Sequence, residues 1–188
     1  NYSNKKNAKE HFILYNILID YLRLAGDKSK LILDPDLDSY YLMITSVEVF
    51  PSLVTYLNNA VLYNDDLNNP DINSLTKVER LKIFQTLISE KAFDHALKNI
   101  NKSLKEDENF YGKSSTLQAN LNKILPEFEL AINSFNDLLE LMIQNKESFD
   151  SEMYSMKGGE ALNKTVVLWQ KVTEELNNLL LERKADHI

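Results

Sequence analysis

Apolar residues recur at spacings of three and four along segments of about 30 residues, which is the pattern of amphipathic α-helices. The clearest example is the set Val78, Leu81, Phe84, Ile88, Ala92, Ala96, Ile100 and Leu104. Side chains at these spacings share one helix face and can be buried together. The 188 residues include only four Gly and four Pro, too few for the many tight turns of a β-sandwich or barrel. The sequence therefore predicts an all-α protein.

We predict five helical segments, at residues 8–25, 38–63, 76–106, 114–145 and 150–184. Long helices with short connections favour an elongated antiparallel bundle of the four-helix-bundle type. The first two segments are the shortest, so we expect them either to run in series or to contribute to two stacked layers of helices. We expect residues 1–188 to form a single helical domain.

Proline and capping residues predict where these helices bend and where one of them begins. Pro51 lies inside the second segment and cannot donate an amide hydrogen to the carbonyl of Val47, which predicts a kink. Pro126 similarly predicts a bend in the fourth segment. Thr76 and Glu79 have the spacing of a capping box, so we expect the third helix to begin there.

The composition excludes several classes of protein. The net charge is -7 and the pI is about 5.0. Because nucleic-acid binders usually carry a basic patch, we expect no nucleic-acid partner. The chain has no cysteine, and its three histidines, His11, His95 and His187, are scattered, so we expect no metal site. It contains no phosphate-binding Gly-rich loop and no nucleophile elbow. We therefore expect neither a cofactor nor an enzymatic activity in these residues.

The chain begins at Asn1 and has neither a targeting segment nor an apolar run near the roughly 18 residues that suggest a membrane span. We therefore interpret it as a fragment excised from a longer protein.

The first helical segment is apolar over most of its circumference. Its polar residues Asn16, Asp20, Arg23 and Asp27 are spaced by four, three and four, so they share one narrow stripe with Arg23 within reach of both aspartates. A bundle helix in a monomer needs an apolar face only a little wider than about 100°. Either a partner subunit covers the remaining apolar surface, or this helix is buried centrally within its own chain.

An acidic connector, GDKSKLILDPDLDSYYLM at residues 26–43, joins the first two helices. Pro35 favours an extended conformation for Asp34. Asp36 or Asp38 can then cap the second helix, because a carboxylate is stabilised at the positive end of the helix dipole. This interpretation makes the connector purely structural.

A second interpretation gives the connector a binding role, in which its acidic and aromatic residues frame a pocket for a cationic or hydroxylated small molecule. These residues are Asp34, Asp36, Asp38, Tyr40 and Tyr41. A calcium loop of the EF-hand type is excluded, because Ser39 occupies the position that requires glycine and Thr45 the position that requires a bidentate glutamate.

The connector resembles one in the helical extracytoplasmic regions of bacterial transmembrane receptors, the kind that precede chemoreceptor, histidine kinase and diguanylate cyclase output modules. The match runs from Gly26 to Met43, with Lys30 in place of the usual asparagine and, just beyond it, Ile44 in place of the usual aspartate. A shorter stretch at residues 154–163, YSMKGGEALN, is similar to the small-residue stretch in the last helix of that family. The resemblance implies an all-helical ligand-sensing domain between two membrane helices, usually dimeric, and implies no particular ligand.

The resemblance thus predicts the extracytoplasmic (periplasmic) sensor domain of an inner-membrane receptor, a sensor histidine kinase or a methyl-accepting chemotaxis protein, that signals through its terminal helices. We expect a small-molecule or periplasmic-protein ligand and a homodimer. The candidate ligand-binding residues are Arg23, Asp34, Asp36, Asp38, Tyr40 and Tyr41. The alternative is a freestanding helical interaction or scaffold domain whose first helix pairs with a partner protein.

Overall fold

A computed structural model describes residues 2–29, 36–63, 76–108, 113–144 and 150–186, and every regular element in these ranges is helical. The α-helices are α1 (Tyr2–Ser29), α2 (Leu37–Ile44), α3 (Phe50–Leu62), α4 (Lys77–Ile88), α5 (Asp94–Glu106), α6 (Leu117–Gln144) and α7 (Ser151–Asp186). The π-helical turns Thr45–Val49 and Ser89–Phe93 join α2 to α3 and α4 to α5. The described residues therefore form five continuous rods, α1, α2–α3, α4–α5, α6 and α7, which confirms the predicted all-α fold of about five helices.

Four of these rods enclose one apolar core. Helix α7 packs on α6, α3 and α2, while α2 also packs on α5, and α4 packs on α6 and α3. Lys157 contacts Ser134 and Lys164 contacts Glu127, so α6 and α7 run antiparallel. Phe128 lies at the centre of the core, where its ring is 6.2 Å from that of Phe50. The predicted four-helix-bundle architecture thus describes these four rods.

Helix α1 lies outside this bundle, against the π turn Thr45–Val49. The hydroxyl of Tyr15 donates to the carbonyl oxygen of Pro51 at 3.0 Å, and Gly26 lies against Val47. Burial raises the pKa of Tyr15 above its usual value, which keeps the phenol protonated as a donor. Because Tyr15, in the middle of α1, contacts Pro51, α1 packs against the side of the α2–α3 rod and does not extend it end to end. The predicted arrangement in series is therefore wrong.

The π turn Thr45–Val49 changes the register of the α2–α3 rod. Pro51, the second residue of α3, cannot donate to the carbonyl of Val47, and the helix adopts the wider π turn just before it, where the amide of Phe50 donates to the carbonyl oxygen of Thr45. Thr45 in this turn is buried and donates its hydroxyl to the carbonyl oxygen of Tyr41 at 2.7 Å. The buried apolar residues of this rod are Leu42, Met43, Val49, Phe50, Leu53, Val54, Leu57 and Ala60.

The two ends of the bundle differ in polarity. One end, formed by α2, the last turns of α5 and α7 and the start of α6, is called the polar end. Its buried polar residues are Asp36, Asp38, Ser39, Thr45, Ser46, Ser103, Asp107, Ser114 and Glu175. The opposite end is packed with apolar and aromatic side chains, including Leu57, Leu139, Met142 and Tyr154. Polar groups buried in this number need specific partners, so the polar end is the candidate location of a functional site.

Helix caps agree with the sequence signals. The hydroxyl of Thr76 accepts from the amide of Glu79 at 3.3 Å, and the Glu79 carboxylate accepts from the amide of Thr76 at 2.7 Å, so the predicted capping box is confirmed. Asp150 accepts from the amide of Met153 at 2.9 Å and starts α7 in the same way.

Gly158 marks the close approach of α7 to its neighbours. A Cβ atom at this position would lie 2.6 Å from Cγ2 of Val61 and 3.2 Å from the ring of Phe135. At the adjacent Gly159, a Cβ atom would meet nothing within 4 Å. Helix α7 is continuous through both residues, so the paired glycines serve close packing and do not break the helix.

We expect Gly158→Ala to be less stable than Gly159→Ala by about 1 to 3 kcal/mol, the usual cost of overpacking a core. Both changes bring the same gain in helix propensity, so the difference between them isolates the clash with Val61 and Phe135. Urea unfolding of the two variants measures it. Equal midpoints would show that α3 and α7 do not approach each other as closely as described.

Candidate functional site

Asp36 and Asp38 begin α2 in an enclosed position at the polar end. The backbone of Asp36 is extended, and its carbonyl oxygen accepts the amide of Tyr40 at 3.0 Å and the hydroxyl of Ser39 at 3.1 Å. The carboxylate of Asp38 accepts the amide of Ser39 at 2.6 Å, while Asp36 makes no side-chain cap. Asp38 is the second residue of α2 and accepts an amide of the first turn, so neither aspartate makes the predicted N-cap hydrogen bond, and the carboxylate of Asp36 points to a different partner.

That partner is Arg183, which lies in the last turn of α7. Its Nε lies 3.2 Å from a carboxylate oxygen of Asp36, Nη2 contacts the carboxylate of Asp38, and Nη1 donates to the hydroxyl of Ser39. The side chains are nearly covered, with 11% of Arg183, 6% of Asp36 and 9% of Asp38 exposed. We call these four residues the Arg183 clasp.

The geometry of the Arg183 clasp suits arginine in particular. The guanidinium presents several donors in a fixed plane, so one side chain can satisfy two carboxylates and a hydroxyl at once. The aspartates stand at the positive end of the α2 dipole and the guanidinium at the negative end of the α7 dipole, so both helix dipoles favour the charges present. The clasp therefore ties the start of α2 to the end of α7.

The remaining candidate residues are distributed differently. The rings of Tyr40 and Tyr41 meet edge to face at 5.5 Å, and Lys102 of α5 lies 3.2 Å from the hydroxyl of Tyr41 and 4.6 Å from its ring centroid. Arg23 is exposed on α1 and is 3.5 Å from the carboxylate of Asp20, so it makes no ion pair with Asp36 or Asp38 of the described connector. Asp34 lies outside the described residues. The structure thus brings together two groups, Asp36 with Asp38 and Tyr40 with Tyr41.

Arg183, Ser39 and Lys102 are site residues that sequence reasoning missed. Arg183 is more than 140 residues from its partners, as its separation of 145 from Asp38 shows, so no local spacing connects them. The basic last turn of α7 could have indicated Arg183 as a candidate, because a cation near a helix C-terminus can bind a carboxylate as well as the helix carbonyls.

Further carboxylates are buried beside the clasp. Glu175 of α7 accepts the hydroxyl of Thr116 at 2.7 Å and the side-chain amide of Asn120 at 2.6 Å, which fixes the start of α6. One oxygen of Asp107 accepts the amide of Ser114 at 3.0 Å, and its other oxygen is buried without a hydrogen bond to the described residues. Glu175 and Asp107 are joined to neutral donors, so the polar end carries an excess of negative charge.

A concave feature lies between α4 and α6, near the π turn Ser89–Phe93. It is an open groove of about 510 Å³. Most of the residues that line it are polar, including Lys82, Thr86, Glu90 and Glu140. Side chains of both charges and several hydroxyl and amide groups make this groove suited to a polar molecule without strong net charge.

The described residues contain no group of three or more His, Cys, Asp or Glu side chains that could hold a metal ion. None of the helices in the described ranges has both the length and the apolar character needed to cross a membrane.

No protein-family model, no curated protein and no solved structure matches this chain. Its function therefore has to be inferred from its own residues.

We expect Arg183→Ala to lower the free energy of unfolding by about 3 to 5 kcal/mol, because it leaves two buried carboxylates without a cation. Lys184→Ala is the matched control, since Lys184 is the next residue of α7 and is exposed. That control should change stability by less than about 0.5 kcal/mol. Arg183→Lys keeps the charge without the planar fork and should fall between the two.

Chemical unfolding followed by circular dichroism measures these differences. If Arg183→Ala and Lys184→Ala were equally stable, the clasp would contribute no more than an exposed ion pair, and the assignment of Arg183 would be wrong.

Proposed function

We propose that this chain is the extracytoplasmic ligand-sensing domain of a transmembrane receptor, a sensor histidine kinase or methyl-accepting chemotaxis protein. In this proposal it is the periplasmic part of an inner-membrane protein and passes its signal through α1 and α7. One observation carries the proposal. The π turn Thr45–Val49 is contacted by α1 on one side and by α7 on another, so the two terminal helices meet on the same short segment.

This segment is a suitable place for coupling. The hydroxyls of Ser46 and Thr173 are 3.4 Å apart where α7 passes the turn, and Gly26 of α1 lies against Val47. A π turn is a local irregularity in helical hydrogen bonding and occurs frequently at functional sites. A shift of this turn would therefore change how both terminal helices sit against the bundle, which is what a receptor has to transmit.

The Arg183 clasp adds a direct link between the connector and α7. A ligand can change the signalling state only if it binds the two packings with unequal affinity. A cationic group that approached Asp36 or Asp38 would compete with Arg183, and its binding would release the end of α7. The excess of buried carboxylates at the polar end favours a cationic ligand over an anionic one. The proposed ligand is a small molecule of this kind or a periplasmic protein.

The gene that encodes this chain supplies the first test. We expect an apolar span of about 20 residues on each side of the domain, with its Lys and Arg excess on the cytoplasmic side. Membrane fractionation of the full-length product should recover it with the inner membrane. A full-length product without such spans, recovered in the soluble fraction, would overturn the receptor proposal.

Ligand binding is the second test, in a thermal-shift screen of small metabolites and ions. A ligand at about 100 times its dissociation constant should stabilise the fold by about 2.7 kcal/mol. We expect alanine at Tyr40 or Tyr41 to reduce the shift and Lys184→Ala to preserve it. A full shift in both tyrosine variants would place the ligand elsewhere, and its loss in Glu140→Ala would place it in the groove between α4 and α6.

The alternative function is a freestanding interaction or scaffold domain. The observation that favours it is the apolar surface of α1, which the bundle leaves uncovered. The flanking sequence distinguishes the two functions, because a scaffold needs a partner for α1 and no membrane span.

A further inference from the structure

The groove between α4 and α6 is a concave surface to which the proposed function assigns no role. Its volume of about 510 Å³ lies within the range of about 300 to 1,000 Å³ that small-molecule sites occupy. It borders the start of the π turn Ser89–Phe93, and π turns inserted in helices occur frequently at functional sites. None of the residues that line it belongs to the Arg183 clasp or to the pair Tyr40 and Tyr41. The groove is therefore a separate candidate site.

Two opposite charges line the groove without neutralising each other. Lys82 lies in the second turn of α4 and Glu90 is the second residue of the π turn, and both residues are exposed. In the ranges that the structure describes, neither of them forms a salt bridge. The other carboxylate of the lining, Glu140, accepts from the side-chain amide of Gln144 at 3.1 Å. Lys82 and Glu90 can thus each bind an opposite charge on a ligand.

The separation of these two charges limits the size of the ligand. Lys82 and Glu90 are eight residues apart in one rod, which is about 12 Å at the rise of an α-helix. The ammonium and carboxylate of a free α-amino acid are attached to the same carbon, so they are too close together to reach both side chains. Each residue of an extended peptide adds about 3.3 to 3.6 Å, which places the termini of a two- or three-residue peptide about 7 to 11 Å apart. The flexible side chains of Lys82 and Glu90 can cover the remaining distance.

We propose that this groove binds a short peptide of two or three residues, with its terminal carboxylate at Lys82 and its terminal ammonium at Glu90. The lining between the two charges carries the hydrogen-bonding side chains of Gln85, Thr86 and Ser89. Amide and hydroxyl groups both donate and accept, so they can pair with the N–H and C=O groups of a peptide backbone. The groove therefore recognises the peptide by its termini and backbone, whatever its side chains.

This site goes beyond the receptor function and does not depend on it. Membrane fractionation of the full-length product reports the receptor function, whereas peptide binding is measured on the purified chain. Either result can therefore fail without the other.

Isothermal titration calorimetry with trialanine tests the proposal. We expect trialanine to bind, and its N-acetylated or C-amidated form to bind at least about tenfold more weakly, because each modification removes one charge-assisted contact. Free alanine should also bind at least about tenfold more weakly, since it cannot span the two charges. A wild-type chain that bound no trialanine at millimolar concentration would overturn the proposal, and so would equal affinity for trialanine and its two modified forms.

Charge-removing variants locate the peptide. Lys82→Gln and Glu90→Gln should each weaken trialanine binding about tenfold, and both should keep the wild-type thermal stability because the two residues are exposed. Lys98→Gln is the matched control, since Lys98 is exposed on α5 and does not line the groove. It should bind trialanine with wild-type affinity. Wild-type affinity in Lys82→Gln and Glu90→Gln as well would overturn the assignment of the groove.

The direction of the peptide is tested by combining the variants with the modified peptides. Lys82→Gln should bind trialanine and its C-amidated form equally, and Glu90→Gln should bind trialanine and its N-acetylated form equally, because in each case the lost contact is already absent. The opposite pairing would show that the peptide lies in the reverse direction. Spermidine binding that was weakened by Glu90→Gln and unaffected by Lys82→Gln, with no trialanine binding, would identify a polyamine as the ligand and overturn the proposal.

Discussion

Pro51 has no amide hydrogen, and this constraint affects the π turn Thr45–Val49, on which the packing of both terminal helices depends. A proline inside a helix leaves the carbonyl four residues earlier without its donor and crowds it with the ring. The α2–α3 rod accommodates this with a π turn immediately before the proline, so the helix continues with its downstream face rotated. That rotation buries Phe50 and Leu53 in the core while Val47 remains available to Gly26 of α1. The same turn thereby receives both terminal helices.

Much of this fold could be predicted from the sequence, because apolar residues at spacings of three and four indicate where long helices lie. In α6 the apolar residues at helical spacing are buried, namely Leu117, Leu121, Phe128, Ile132, Phe135, Leu139 and Met142. The prediction was less accurate where tertiary structure alters the register. On α5 the buried face continues from Ile100 to Ser103 and Asp107, although apolar character alone favoured Leu104. Of these two residues, Asp107 has a polar partner in the amide of Ser114, whereas the hydroxyl of Ser103 is buried without a hydrogen bond to the described residues.

Only the part of the candidate site that lies within the acidic connector was predictable from the sequence. The acidic connector identified Asp36 and Asp38 as special residues, since proline and alternating aspartates are uncommon between two helices. Their partner Arg183 is remote in sequence, and single-sequence patterns carry no information about such pairs. Arg23 was a reasonable candidate by its helical spacing, but in the structure it is exposed on α1 beside Asp20. Long-range ion pairing depends on how rods are arranged, which periodicity does not specify.

The contact at Gly158 has a mechanical consequence for α7. The side chain of Val61 in α3 packs directly onto the backbone of α7 there, so the contact can serve as a fulcrum for α7. Arg183 lies 25 residues further along, about 38 Å at the rise of an α-helix. A tilt of α7 by about 2° around the fulcrum would displace the guanidinium by more than about 1 Å, enough to loosen charge-assisted hydrogen bonds. Small rearrangements in the apolar half of the bundle would thus produce larger displacements at its polar end.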